Sequence, residues 1–119
     1  RRDGTANEKY NMMDIIWHPF AANDFDQIIF YYRDTFGTKT AQKVRDTLHH
    51  DIYHLLSSHP LLGFCETSLE NIDQLTYRSL VSGHIKIIYT IHDKYLYIHM
   101  LWDCRRNPEL LQSEIKGRK

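Results

Sequence analysis

Two adjacent guanidinium groups, Arg105 and Arg106, stand where a strongly apolar run gives way to Asn107-Pro108. Arg is the side chain best suited to bidentate contact with carboxylate or phosphate, because its planar fork is always charged. Pro108 cannot continue a central strand, so the sheet should stop near here and leave the pair on a surface rim. The plainer alternative is a cap on the sheet edge, with the arginines bridging Asp103 or Glu109. Arginine's enrichment in interface hot spots favours a partner contact. A second candidate lies at His50-Asp51-Ile52-Tyr53-His54, where two histidines four apart share one helix face and could grip zinc. The metalloprotease version needs Glu directly after the first His. Asp51 stands there instead, one methylene short, and no third ligand is indicated. No metal site and no cofactor is therefore assigned.

Composition narrows the classes. The 119 residues suit one domain with a real core. Lys and Arg number 15 against 15 for Asp and Glu, so the formal net charge is zero. Broad phosphate attraction needs a basic excess, so any nucleic-acid role must rest on a local cluster. No apolar run approaches the roughly 20 residues of a membrane span. Cys65 and Cys104 show no CxxC spacing, which reads as reduced thiols in a cytoplasmic protein. Residues 1–11 read as a polar leader, non-native if translation starts at Met12 or Met13. Residues 12–112 read as a single domain and 113–119 as a polar, basic tail.

The elements that must position these groups follow from periodicity. Met12 to Trp17 reads as a short strand bounded by His18-Pro19, and Pro19 suits a first helical turn. Phe25, Ile28, Ile29, Tyr32 and Phe36 recur at helical spacing until Gly37. Phe30 and Tyr31 lie off that stripe; with Tyr53 they form either a docking patch or a seat for the leader. Thr38 reads as the N-cap of a second helix with Ala41, Val44, Leu48, Ile52, Leu55 and Leu56 on its apolar face. The short connection predicts an antiparallel helical hairpin. After an irregular stretch, Thr76–Val81, His84–Ile91 and Tyr95–Trp102 read as three strands. Ile85, Ile87, Tyr89 and Ile91 share one face; Leu96, Ile98, Met100 and Trp102 are expected on one face of the last strand. The order is strand, two helices, three strands: an α+β domain with the hairpin on one face of a mainly antiparallel sheet.

That order, with the residues at its joints, resembles the RelE/ParE superfamily of toxins from bacterial type II toxin–antitoxin systems. The segments carrying the likeness are Trp17 to Asp26, Tyr32-Arg33-Asp34-Thr35-Phe36-Gly37, Ala41 and Leu56…Pro60…Gly63. Tyr77-Arg78-Ser79-Leu80, Ile85-Lys86-Ile87-Ile88-Tyr89 and Asp103-Cys104-Arg105-Arg106-Asn107-Pro108 complete them. The resemblance implies a four-stranded sheet ordered 1-4-3-2 with all neighbours antiparallel.

It also implies one of two activities. RelE-like members cut mRNA on the ribosome, using cations to stabilise the phosphorane; ParE-like members poison DNA gyrase. On the ribonuclease reading, Lys86, Arg78 and Arg105 fall on the basic positions and His99 is the nearest candidate base. The C-terminal Tyr of many RelE-like enzymes is missing, since no aromatic residue follows Trp102. With the neutral charge and the long hairpin, that favours the ParE-like branch. The implied role is plasmid stabilisation through growth inhibition, with the toxin held in a hetero-oligomer by a small cognate antitoxin. Arg105, Arg106, Asn107 and Tyr31 are then the expected contacts to target or antitoxin. A further alternative is a non-toxic interaction domain of the same fold.

Overall fold

The computed structural model describes residues 12–118; the expected leader lies outside them. Strand β1 (Asp14–Trp17) leads through His18 into helix α1 (Pro19–Phe36). His18 Nδ1 accepts the Phe20 backbone N–H at 3.1 Å, and Pro19 sits in the first turn, so the helix start is capped twice over. Gly37, at φ 99°, turns the chain directly into α2 (Thr38–His50). That left-handed conformation favours glycine. Thr38 is the first helical residue and makes no side-chain cap, contrary to the sequence expectation. The helix widens into a π-helical stretch, Asp51–Leu56, keeping Ile52 and Leu56 buried.

A five-stranded sheet follows, completed by β2 (Phe64–Cys65), β3 (Arg78–Ser82), β4 (Ile85–His92) and β5 (Tyr95–Asp103). Its order is β1-β5-β4-β3-β2. This corrects the expected four strands ordered 1-4-3-2 in two ways. The extra strand β2 has only two residues, too few to leave a periodic signal. And β1 pairs with β5 in parallel, Asp14 opposite Tyr95 and Trp17 opposite Ile98. Side-chain alternation is the same in both directions, so the sequence pattern carries no information on strand sense.

Two apolar clusters flank the sheet. The hairpin side joins Leu48, Ile52 and Leu56 to Ile85, Ile87, Tyr89, Leu96, Ile98 and Leu101. On the other side, Ile88, Met100 and Trp102 meet Leu69, Tyr77, Leu111 and Ile115. The last two belong to helix α3 (Leu111–Gly117). The segment read as a tail after residue 112 is thus a packed element, because Ile115 recurs four residues after Leu111 and both are buried.

A bulge in β5 divides the two clusters. Ile88 pairs with Met100 but Tyr89 pairs with Ile98, leaving His99 as the extra residue. The extra residue reverses the alternation. Leu96 and Ile98 face the hairpin, whereas Met100 and Trp102 face α3 and Leu101 takes their place. The expected single face for Leu96, Ile98, Met100 and Trp102 is therefore split.

Because β1 ends at Trp17, the edge of β5 lies open beyond Ile98. Asp24 of α1 closes it: its Oδ2 accepts the Leu101 N–H at 3.1 Å. Arg118 grips the same carboxylate with Nη1 at 2.7 Å and Nη2 at 2.9 Å, and its Nη1 also donates to the His99 carbonyl at 3.0 Å. No helix among the described residues is long and apolar enough to cross a membrane.

Candidate functional site

The expected rim exists where β5 ends, and its two arginines diverge. Arg105 forks onto Asp103, Nε to Oδ1 at 2.9 Å and Nη2 to Oδ2 at 2.6 Å. The Arg105 side chain, with its backbone N–H, holds the Asp103 carboxyl below its usual range. The guanidinium lies 5.8 Å from the ring centre of Tyr31. Arg106 turns the other way, lying 4.1 Å over Trp102 and bonding Glu114 of α3 at 2.7 Å. Both arginines are exposed, so these ion pairs are screened and weak. Asn107 acts locally, its Oδ1 accepting the Glu109 N–H at 3.1 Å to cap the turn Pro108–Leu110.

Tyr31 extends this rim along α1. It is 48% exposed and meets Phe36 edge-on at 6.4 Å, while Arg33 covers the neighbouring Phe30 at 4.4 Å. Phe30 and Phe36 are each 54% exposed. An exposed Tyr–Phe–Arg surface has the composition of a protein-interaction hot spot, and Arg105 is continuous with it. Tyr53, grouped with these rings on sequence, lies elsewhere: its hydroxyl accepts the Trp17 indole N–H at 2.8 Å.

The residues expected to clamp a phosphate are not brought together. Arg78 pairs across the ladder with Tyr89 on the hairpin face, where its Nη1 donates to the Gly63 carbonyl at 2.7 Å. It braces a loop whose shape depends on Gly63. A Cβ there would fall 2.6 Å from the Tyr89 hydroxyl and 2.7 Å from the Ser79 carbonyl. Tyr89 is itself buried, accepting from the Gly63 N–H at 3.0 Å and donating to the Pro60 carbonyl at 2.6 Å.

Lys86 lies on the opposite face, opposite Trp102, and is bound to Glu66 at 2.8 Å. Glu66 also accepts from Ser79 at 3.0 Å and from Ser68 at 2.7 Å. Burial pushes the Glu66 carboxyl up, but these hydrogen bonds and the Lys86 charge outweigh it and hold the carboxyl below its usual value. His99 shares that face but sits toward the other end. Its bonding partner Thr90 is four residues along β4 from Lys86, about 13 Å at strand spacing. Trp102 and Met100, covered by α3, lie between.

Sequence reasoning missed Asp24 and Arg118, which are 94 residues apart and have no shared motif. It also missed the setting of His99, where His18, His92, Tyr77 and Tyr97 surround one cavity. The alternation of Tyr97 and His99 was visible; the arrival of His18 and Arg118 from the two ends of the chain was not. His50 and His54 stack at 5.4 Å on an exposed helix face. Among the described residues no group of three or more His, Cys, Asp or Glu side chains is placed to hold a metal ion.

Comparison with known proteins gives a likeness of fold. No protein-family model matches the chain, and no curated protein matches it. Thirteen chains of solved structures do. One, from the chromosomal ParDE TA system of P. aeruginosa, superposes with a TM-score of 0.61 at 19% identity. The alignment covers 76% of this chain and 95% of that one. The two share an α+β architecture in which a helical region packs on a largely antiparallel sheet.

Proposed function

We propose that this protein is the toxin of a type II toxin–antitoxin pair, bound by a small antitoxin and directed at DNA gyrase rather than the ribosome. The fold likeness and the order of the joint residues support the toxin class. The observation that carries the choice of target is the dispersal of the basic residues. Transition-state stabilisation in phosphoryl transfer needs cations converging on one oxyanion. Here Arg78, Lys86 and Arg105 are each bonded to a different internal partner, Arg78 on one face, Lys86 on the other and Arg105 at the rim. The exposed arginine–aromatic rim instead suits contact with a folded protein.

Purified protein added to a gyrase supercoiling reaction should trap cleaved DNA. Codon-register cuts in translated mRNA, with gyrase unaffected, would reverse the target. Expression without growth arrest, in a strain lacking any antitoxin, would remove the toxin reading and leave an interaction domain of the same fold.

A further inference from the structure

At the β5 bulge one hydroxyl serves two imidazoles. Thr90 is 1% exposed, and its Oγ1 lies 2.8 Å from His92 Nε2 and 2.8 Å from His99 Nε2. A hydroxyl has one proton, so it can donate to only one of these nitrogens. The other nitrogen must carry a proton of its own and donate to the hydroxyl oxygen. When Thr90 donates to one ring, the two rings are complementary tautomers, or the ring that donates to Thr90 is an imidazolium.

Both rings line a cavity of about 300 Å³ on the α3 side of the sheet, together with His18, Tyr77, Tyr97 and Arg118. The Tyr97 ring lies 5.0 Å from His99, 6.5 Å from His92 and 6.5 Å from His18; Tyr77 meets His99 edge-on at 5.2 Å. His18 accepts the Phe20 N–H at Nδ1, so when neutral it keeps its proton on Nε2. No carboxylate is among the described residues that line the cavity. Carboxylates do bond to the lining residues: Asp24 is held by Arg118, which also lies 3.7 Å from Glu114, and Asp73 accepts from the Tyr77 hydroxyl. The cavity thus offers the Nε2–H of His18 and the Nδ1 side of His92, without a carboxylate in its lining, and is walled by aromatic faces. That combination favours an oxyanion attached to a flat ring: charge-assisted hydrogen bonds take the first, and stacking takes the second.

We propose that this cavity binds the phosphate group of a nucleotide, with His18 and His92 facing the phosphate, His99 holding the His92 ring in its donor tautomer through Thr90, and Tyr97 stacking the base. The site is separate from Lys86 and from the Arg105–Tyr31 rim, and its occupancy does not depend on the toxin reading. Its readout is binding, not growth arrest, so either idea can fail without the other.

The test is calorimetric titration of the full chain with adenosine 5′-monophosphate, adenosine and inorganic phosphate, each alone. The nucleotide should bind at least about tenfold more tightly than either fragment. His92 is exposed, so His92→Gln should leave the melting temperature unchanged while weakening nucleotide binding by about tenfold. Thr90→Val keeps the shape but removes the shared proton. Nitrogen-15 spectra of the two imidazoles should then lose their tautomer difference, and affinity should fall about fivefold. A single-stranded RNA hexamer that displaces the monophosphate, and loses binding in His92→Gln, would assign the phosphate to a nucleic-acid backbone at the same cavity. Nucleotide binding no tighter than adenosine, binding undiminished in both variants, or no binding to any probe would overturn the proposal.

Discussion

On the hairpin side of the sheet, two helices press a continuous apolar surface onto Ile85, Ile87, Tyr89, Leu96 and Ile98. On the α3 side a helix of seven residues covers a smaller cluster, and polar clamps surround it: Lys86–Glu66, Arg106–Glu114 and Arg118–Asp24. The first side is closed by area removed from water, which is non-directional and large in sum. The second is closed by directional bonds at the margins, each contributing little unless buried. The two modes of closure decide where this fold can host chemistry. The clamped face keeps imidazoles, phenols and a guanidinium beside a cavity.

Substitutions on each side put that contrast at risk. The largest effect is expected on the packed side. Ile87→Ala removes a fully buried side chain between α2 and the sheet and should cost about 2–5 kcal/mol in urea unfolding. A loss below about 1 kcal/mol would mean the hairpin is not the main seal. On the clamped side, Asp24→Ala exposes the Leu101 N–H and releases Arg118. It should cost about 1–3 kcal/mol and raise hydrogen exchange at Leu101 first. Exchange that rises equally across the hairpin would show the two sides unfolding as one.

A third test uses pH. The folded-state Glu66 carboxyl lies below the ordinary value of 4.5, so its contribution is complete above that value and is lost as pH falls through the lower folded value. Urea midpoints measured between about pH 3 and 6 should therefore decline less steeply in Glu66→Gln than in the unaltered protein. Asp103 is shifted the same way, but its partner Arg105 is solvent-exposed, so its share is smaller. Unaltered slopes would remove Glu66 as a clamp. The smallest change in stability belongs to Arg105→Ala combined with Arg106→Ala, whose urea midpoint should match that of the unaltered protein because both ion pairs are exposed. Growth arrest should nevertheless be relieved in that double variant. Full arrest would discard the rim as the functional surface.

Much of the packed side was legible in the chain. Phe25, Ile28 and Tyr32 on the first helix, and Leu48, Ile52 and Leu56 on the second, announce their face by helical spacing. Gly37 announces the turn between the helices. The rim was legible too, since Pro108 marks the end of the last strand. What stayed hidden depended on a single inserted residue. Without the bulge at His99, Met100 and Trp102 would have joined Leu96 and Ile98, and α3 would have lost its floor. The candidate phosphate clamp failed for a related reason: Arg78 and Lys86 are eight positions apart on paired strands, yet their partners Tyr89 and Trp102 face opposite sides.

Taken alone, the order of residues determined the two hairpin helices, the first strand and the three long strands, and most of the faces that avoid water, because those choices depend on neighbours within a few positions. Tertiary structure alone decided the parallel pairing of β1 with β5, the reversal of faces at His99, and the meeting of Asp24 with Arg118 and of His18 with His92 and His99. These depend on groups separated by tens of residues, whose encounter is fixed by the packed sheet and leaves no periodic trace in the sequence.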